Sequence, residues 1–208
     1  MAQARLIPST YSVSNSVLTV SNAANMYANT DNSSKYATAT HTQKSTTSYY
    51  LYLKGFNFSE IPANATVNSF TVKIKAYESK LSTSSSYAPK LCNNTTTITG
   101  TCSAITTSAT VKTFTGVTAT WNTIKGYGNN FGIRFTVRRN QQNSQGYLYV
   151  YGAEILVDYT VPADLQAYRK ENGAWRTYSA IYKKTNGVWT EVTSADDIDT
   201  NVNYVMVN

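Results

Sequence analysis

The stretch SFTVKIKAYES, Ser69 to Ser79, alternates without a break: Phe70, Val72, Ile74 and Ala76 point one way, and Thr71, Lys73, Lys75 and Tyr77 the other. Successive side chains leave opposite faces of a strand, so this is a β-strand with one face on a core and one in water, its register strongly specified. Working outward, other segments obey the same rule. In FGIRFTVRR, Phe131 to Arg139, Ile133, Phe135 and Val137 alternate with Arg134, Thr136 and Arg138, which predicts one packed face and one basic face. SYYLYLKGF, Ser48 to Phe56, sets Leu51 and Leu53 inward beside Tyr50, Tyr52 and Lys54 outward. In GYLYVYGAEILVDYT, from Gly146, the inward set Leu148 and Val150 changes phase at Gly152 to Ala153, Ile155, Val157 and Tyr159, which is how a β-bulge reads in sequence. Further strands are expected at Tyr11 to Val20, Tyr36 to His41, Thr95 to Ile105 and Val111 to Trp121. About eight short strands of this kind predict an all-β fold, a two-layer β-sandwich that is jelly-roll-like, since the Cys–Trp–Cys spacing of an immunoglobulin domain is missing.

Composition agrees and narrows the chemistry. Of 208 residues, 41% are hydrophobic and only 14% charged, and Ser, Thr and Asn make up about a third beside 17 Tyr. That bias favours strands and polar turns. The chain has one histidine, His41, and two cysteines, Cys92 and Cys102. A four-ligand zinc site would need all three and a carboxylate, and a serine or cysteine triad would have to recruit His41 from a Thr-rich stretch that reads as an exposed strand end or loop. A paired-carboxylate hydrolase has little to draw on before Thr160: Asp31, Glu60, Glu78, Glu154 and Asp158. Glu154 and Asp158 fall on one strand, about 13 Å apart at roughly 3.3 Å per residue. The expectation is a protein without catalytic residues, metal or cofactor. Cys92 and Cys102 flank a segment able to close as a hairpin, so a disulfide and two half-buried thiols are both open. The N-terminus MAQARLIPSTYS lacks the apolar core of a secretory signal and no run of 18 apolar residues occurs, so synthesis in the cytoplasm without membrane insertion is expected.

Val161-Pro162-Ala163 marks a boundary, dividing a sandwich domain, 1–160, from a small module, 161–208. Thirteen basic and five acidic residues precede it, for a net charge of +8, and five basic and six acidic follow, for −1, together the +7 of the whole chain. Within the module, Tyr168 to Trp175 (YRKENGAW) recurs fourteen residues later as Tyr182 to Trp189 (YKKTNGVW). Each copy is a strand, an Asn-Gly turn and a strand, because a type I′ turn needs positive φ at both central positions. Tyr168 with Trp175, and Tyr182 with Trp189, are expected to meet across their hairpins or share one face. A turn carrying Asp196, Asp197 and Asp199 and a last strand, Val202 to Val207, complete the module.

The run NMYANTDNSSKYATATHT, then FSEIPANATV leading into the strand at Ser69, and later NNFGIRFTVRRN with YGAE opening the last half of the final strand, resembles minor structural proteins of tailed bacteriophages and prophages. The resemblance covers most of Tyr11 to Tyr159. The paired YxKxNGxW hairpins are similar to repeats that end phage tail and fibre proteins. The resemblance implies a virion component, a head decoration, fibre or tail protein, whose partners are other virion proteins and copies of itself. On that reading Trp175, Trp189, Tyr168 and Tyr182 are the docking residues, and Lys73, Lys75, Arg134 and Arg138, with Arg139, form a basic interface for an acidic partner. The alternative is recognition of a host cell-surface glycan, with Tyr50, Tyr52 and Tyr149, or the two hairpin tryptophans, as stacking contacts. A sequence pI near 9.3 raises nucleic acid, but no nucleic-acid motif accompanies it and the longest basic runs are pairs.

Overall fold

The computed structural model describes residues 2–31, 34–43, 47–81, 87–139, 145–161, 167–171, 174–178, 180–185, 187–192 and 204–207, the backbone alone at 167–171, 174–178, 180–181, 185 and 204–207. The chain forms two compact units, Met1–Thr160 and Val161–Asn208.

The first unit is a sandwich of two antiparallel sheets. Its strands are β1 (Ala2–Leu6), β2 (Thr10–Val13), β3 (Leu18–Ser21), β4 (Ala37–His41), β5 (Tyr49–Lys54), β6 (Thr66–Ser79), β7 (Lys90–Asn93), β8 (Thr96–Thr97), β9 (Thr110–Thr113), β10 (Phe131–Val137) and β11 (Gly146–Thr160), with a short helix, α1 (Trp121–Tyr127), before β10. The first sheet runs β3-β4-β11-β6-β9, with β1 also on β11, and the second runs β2-β5-β10-β7-β8. β4 pairs with β11, β5 with β10, β6 with β9 and β7 with β8, all antiparallel. These nested pairs are one long hairpin rolled so that successive pairs alternate between sheets, which is jelly-roll topology.

Between the sheets, Val72, Ile74, Ala76, Leu148, Val150 and Ile155 of the first face Leu51, Leu53, Leu91, Ile133 and Phe135 of the second in one buried cluster. Each large aliphatic or aromatic side chain enclosed there contributes roughly 1.5–3 kcal/mol. The bulge sits where the phase change predicts it: the β11–β6 register shifts between Val150 and Gly152, and Ala153, Ile155 and Val157 are buried beyond it. Glu78 takes an inward position at the end of β6, 3% exposed, where it accepts a 2.7 Å hydrogen bond from the Leu81 amide. Burial raises its pKa, partly offset by that bond.

Several expectations are corrected. Tyr11 to Val20 is two strands in different sheets, because the chain crosses the sandwich edge at 14–17. Thr95 to Ile105 supplies only β8 and a bridge from Thr101 to Thr115, following a left-handed Asn94 at φ 55°. Val111 to Trp121 ends as a strand at Thr113, and Trp121 begins α1, whose N-cap Thr120 accepts from the Thr123 amide at 3.2 Å. β1 and β7 carry little strand signal in the sequence, as AQARL has little apolar alternation and KLCN is four residues long. His41 is not an exposed loop residue. It continues the inward phase of Ala37 and Ala39, is fully enclosed, packs its ring 4.9 Å from that of Tyr49 and bonds the Thr47 carbonyl through Nε2 at 3.0 Å. Both cysteines are free thiols, Cys92 buried and donating to the Gly132 carbonyl, and Cys102 partly buried with its thiol pushed up to about 11 by desolvation.

In the second unit, β12 (Ala167–Glu171) pairs with β13 (Ala174–Tyr178), and β14 (Ala180–Thr185) lies between β15 (Val188–Glu191) and β16 (Tyr204–Val207). The pairs Glu171–Ala174 and Thr185–Val188 close each repeat through two residues, and Gly187 has the positive φ, 84°, that such a turn needs. Asn172, Gly173, Asn186 and the segment with Asp196, Asp197 and Asp199 lie outside the described residues.

Candidate interaction surface

Residues read from sequence as one basic interface lie on opposite sides of the sandwich. Lys73 and Lys75 leave the outer face of the first sheet on β6, whereas Arg134 leaves the outer face of the second on β10, with Arg138 one residue past that strand. The inward sets of both sheets fill one shared core, so the outward sets point away from each other. Arg139 belongs to neither face: it is 1% exposed and its guanidinium donates to the Gln43 carbonyl.

The outer face of the first sheet carries a tyrosine cluster. Tyr77 and Tyr149 are direct cross-strand partners, their rings stacked 4.2 Å apart and 8° from parallel. Tyr36, from the segment entering β4, sets its edge against Tyr77, Tyr149 and Tyr151 at 6.1, 5.2 and 5.4 Å, and Lys75 Nζ lies 5.1 Å from the Tyr151 ring centre. Burial, with the neighbouring phenols, pushes the Tyr77 hydroxyl up to about 12. Beside this cluster, residues 27–31 cross the bulge. The Ala153 amide donates to the Ala28 carbonyl at 3.0 Å, and the side chain of any residue but glycine at 152 would run into the Ala28 and Asn29 carbonyls. The Thr30 hydroxyl donates to Glu154 Oε1 at 2.5 Å, and Arg5 pairs with Glu154 at 3.3 Å and Asp31 at 2.5 Å. The Arg5 guanidinium holds the Asp31 carboxyl below its usual range, and hydrogen bonds from Gln3 (2.9 Å) and Ser69 (2.8 Å) do the same for Asp158.

On the second sheet the outer face is built differently. The Arg134 guanidinium lies 4.9 Å over the Tyr50 ring and donates to the Thr95 carbonyl at 3.2 Å and the Thr97 hydroxyl at 3.0 Å. Lys54 Nζ lies 5.3 Å over the Tyr52 ring and reaches Asn94 Oδ1 at 3.4 Å. Arg138 covers Tyr87 at 5.2 Å, and Lys90 pairs directly with Arg134 across the β10–β7 ladder. Of the expected glycan contacts, Tyr52 is corrected: it faces outward but is only 7% exposed, because Lys54 lies across it. The Tyr50 face is likewise taken by Arg134, and Tyr149 is stacked within its own cluster.

In the hairpin module, Trp189 is 43% exposed and stands directly opposite Lys184, whose Nζ lies 5.5 Å from the ring centre. Tyr182 is opposite Glu191, so Tyr182 and Trp189 share a face as diagonal neighbours. The equivalent register sets Tyr168 against Thr177 and Trp175 against Lys170, and the side chains of Tyr168 and Trp175 lie outside the described residues. Among the described residues no three His, Cys, Asp or Glu side chains gather as metal ligands, and no helix is long and apolar enough to cross a membrane.

Sequence reading overlooked Tyr36, Lys90 and Tyr87 as members of these faces and placed Lys54 outward without joining it to the basic interface, since only the strand order brings them beside their partners. Compared with known proteins, the chain matches no family model, no curated protein and no solved structure.

Proposed function

We propose that the protein is a non-enzymatic structural or accessory subunit of a tailed-bacteriophage virion, of head, fibre or tail, that acts by oligomerising and docking on other virion proteins. The observation that carries this reading is the tyrosine cluster of Tyr36, Tyr77, Tyr149 and Tyr151 on the first sheet. Tyrosine is enriched at protein interfaces, and rings already held against one another lose little freedom on docking. The resemblance of Tyr11 to Tyr159 to phage minor structural proteins points the same way. A non-enzymatic role is supported by how the chemically capable groups are used: His41 is enclosed in the core, and Glu154 is tied to Thr30 and Arg5.

The test is to purify particles of the phage or prophage that encodes the chain and quantify the protein in them by mass spectrometry. A constant number of copies per particle, surviving washing, is expected, together with a homo-oligomer of the free protein by light scattering. Abundance in the lysate with absence from particles would overturn the reading.

A second reading, recognition of a host cell-surface glycan by the virion, is favoured by the exposure of Trp189 at a hairpin face. Saturable retention of the labelled protein on host cells, competed by free cell-wall sugars and lost in Trp189→Ala and Trp175→Ala, supports it. No retention of the folded protein on any host sinks it.

A further inference from the structure

The cations of the first unit are unevenly matched by acids. The strands of the second sheet contain Lys54, Lys90 and Arg134 and no Asp or Glu. The five acidic residues of this unit lie elsewhere: Asp31, Glu154 and Asp158 at the outer side of the first sheet, Glu78 in the interior, and Glu60 in the turn Phe58–Glu60. The acceptors that fix Arg134 and Lys54 are neutral, a carbonyl, a hydroxyl and an amide oxygen, and the surfaces beneath them are tyrosine rings. These side chains are therefore held in place with their charge uncancelled, so an anionic partner would not have to supply the cost of ordering them.

We propose, resting on the docking reading above, that the outer face of the second sheet, centred on Arg134 with Lys54, Lys90 and Arg138, meets a carboxylate-rich face of a neighbouring virion protein. Charge complementarity selects an acidic surface. Single-stranded nucleic acid and sugars both call for open aromatic faces on which to stack, and here the Tyr50 and Tyr52 faces are covered by Arg134 and Lys54. The sheet offers charge at fixed spacing, with Lys90 and Arg134 as direct neighbours and Lys54 about two residues, roughly 7 Å, further along the adjacent strand.

The test uses the full chain on immobilised poly-L-glutamate, with a single-stranded oligothymidylate as competing probe. Wild type should bind polyglutamate and be released as salt rises toward about 0.5 M. The double variant Lys54→Glu with Lys90→Glu, its fold checked by circular dichroism and melting, should bind at least about tenfold more weakly, and Lys73→Glu with Lys75→Glu within about twofold of wild type. Should the first variant misfold, Arg138→Glu at the edge of the same face takes its place. Equal loss from both faces, no loss from the second, or tighter binding to the oligothymidylate overturns the assignment. In particles the two proposals separate: undiminished incorporation of Lys54→Glu with Lys90→Glu overturns this surface alone, while absence of wild type overturns the docking reading with it.

Discussion

The two outer faces of the sandwich draw on the same Tyr, Thr, Lys and Arg side chains and put them to opposite uses. On the first sheet, acids and bases meet within the chain: Arg5 ties β1 to Asp31 and Glu154, Thr30 caps Glu154, and Gln3 and Ser69 hold Asp158. On the second, Lys54, Arg134 and Arg138 rest on tyrosine rings and neutral acceptors, with no acid in the strands to answer them. Polar groups that satisfy one another hold a fold together, whereas cations ordered by neutral neighbours keep their charge for something outside the chain. Substitutions in the polar network of the first face, at Arg5, Glu154 and Asp158, should therefore register in stability, and those of the cations on the second in binding.

The sharpest way to break this contrast is Gly152→Ala. The new methyl would push residues 27–31 off the bulge and strip the Ala153–Ala28 bond, and a loss of about 3 kcal/mol in urea unfolding is expected. An unchanged midpoint would mean the crossing segment is not locked. Next, Glu154→Ala leaves the buried Thr30 hydroxyl and one side of Arg5 without their acceptor, at a cost of about 2 kcal/mol. Equal stability to wild type would remove the first face's claim to be self-satisfied. Tyr149→Ala, which breaks both the stack on Tyr77 and the edge contact of Tyr36, should cost about 1.5 kcal/mol by thermal melting, more than Tyr50→Ala on the other side. The smallest expected stability change is from Lys54→Ala with Lys90→Ala, under about 0.5 kcal/mol, because these half-buried cations have no acidic partner to lose.

Acid should also distinguish the faces. Asp31 and Asp158 have pKa values lowered in the folded state by Arg5 and by the Gln3 and Ser69 hydrogen bonds. A depressed carboxyl adds stability above its unfolded value of about 4 that is lost as pH falls through the folded one. Melting temperature should fall over that range, and Asp158→Asn should flatten the fall. Glu78 works with the opposite sign: burial raises it, so its contribution is present at low pH and lost as pH rises through the raised value. Glu78→Gln should remove that second trend, and a pH profile identical to wild type in both variants would refute this account.

Much of this architecture is legible in the sequence at the level of single strands. The alternation in Ser69 to Ser79 and Phe131 to Val137, the phase change at Gly152 and the hairpin pairing of the two C-terminal repeats all predict what the described backbone does, since a strand's period of two and the short closure of a hairpin are local properties. Where the signal is weak the reading failed. AQARL becomes β1 because β11 offers it a partner, and His41 is enclosed because the strand's phase carries it inward past two alanines. Trp121 starts a helix on a Thr cap that reads equally well as a strand residue.

Alternation determines which side of its own strand each residue takes, so the sequence by itself established an all-β chain with apolar inward sets, basic outward sets and a repeated hairpin at the C-terminal end. It carries no information on which strands lie side by side. That depends on pairings between residues far apart in the chain, such as Tyr149 with Tyr77 and Arg134 with Lys90. Only the rolled topology divided Lys73 and Lys75 from Arg134 and Arg138, because successive pairs of the long hairpin alternate between sheets and residues alike in pattern come to face opposite directions.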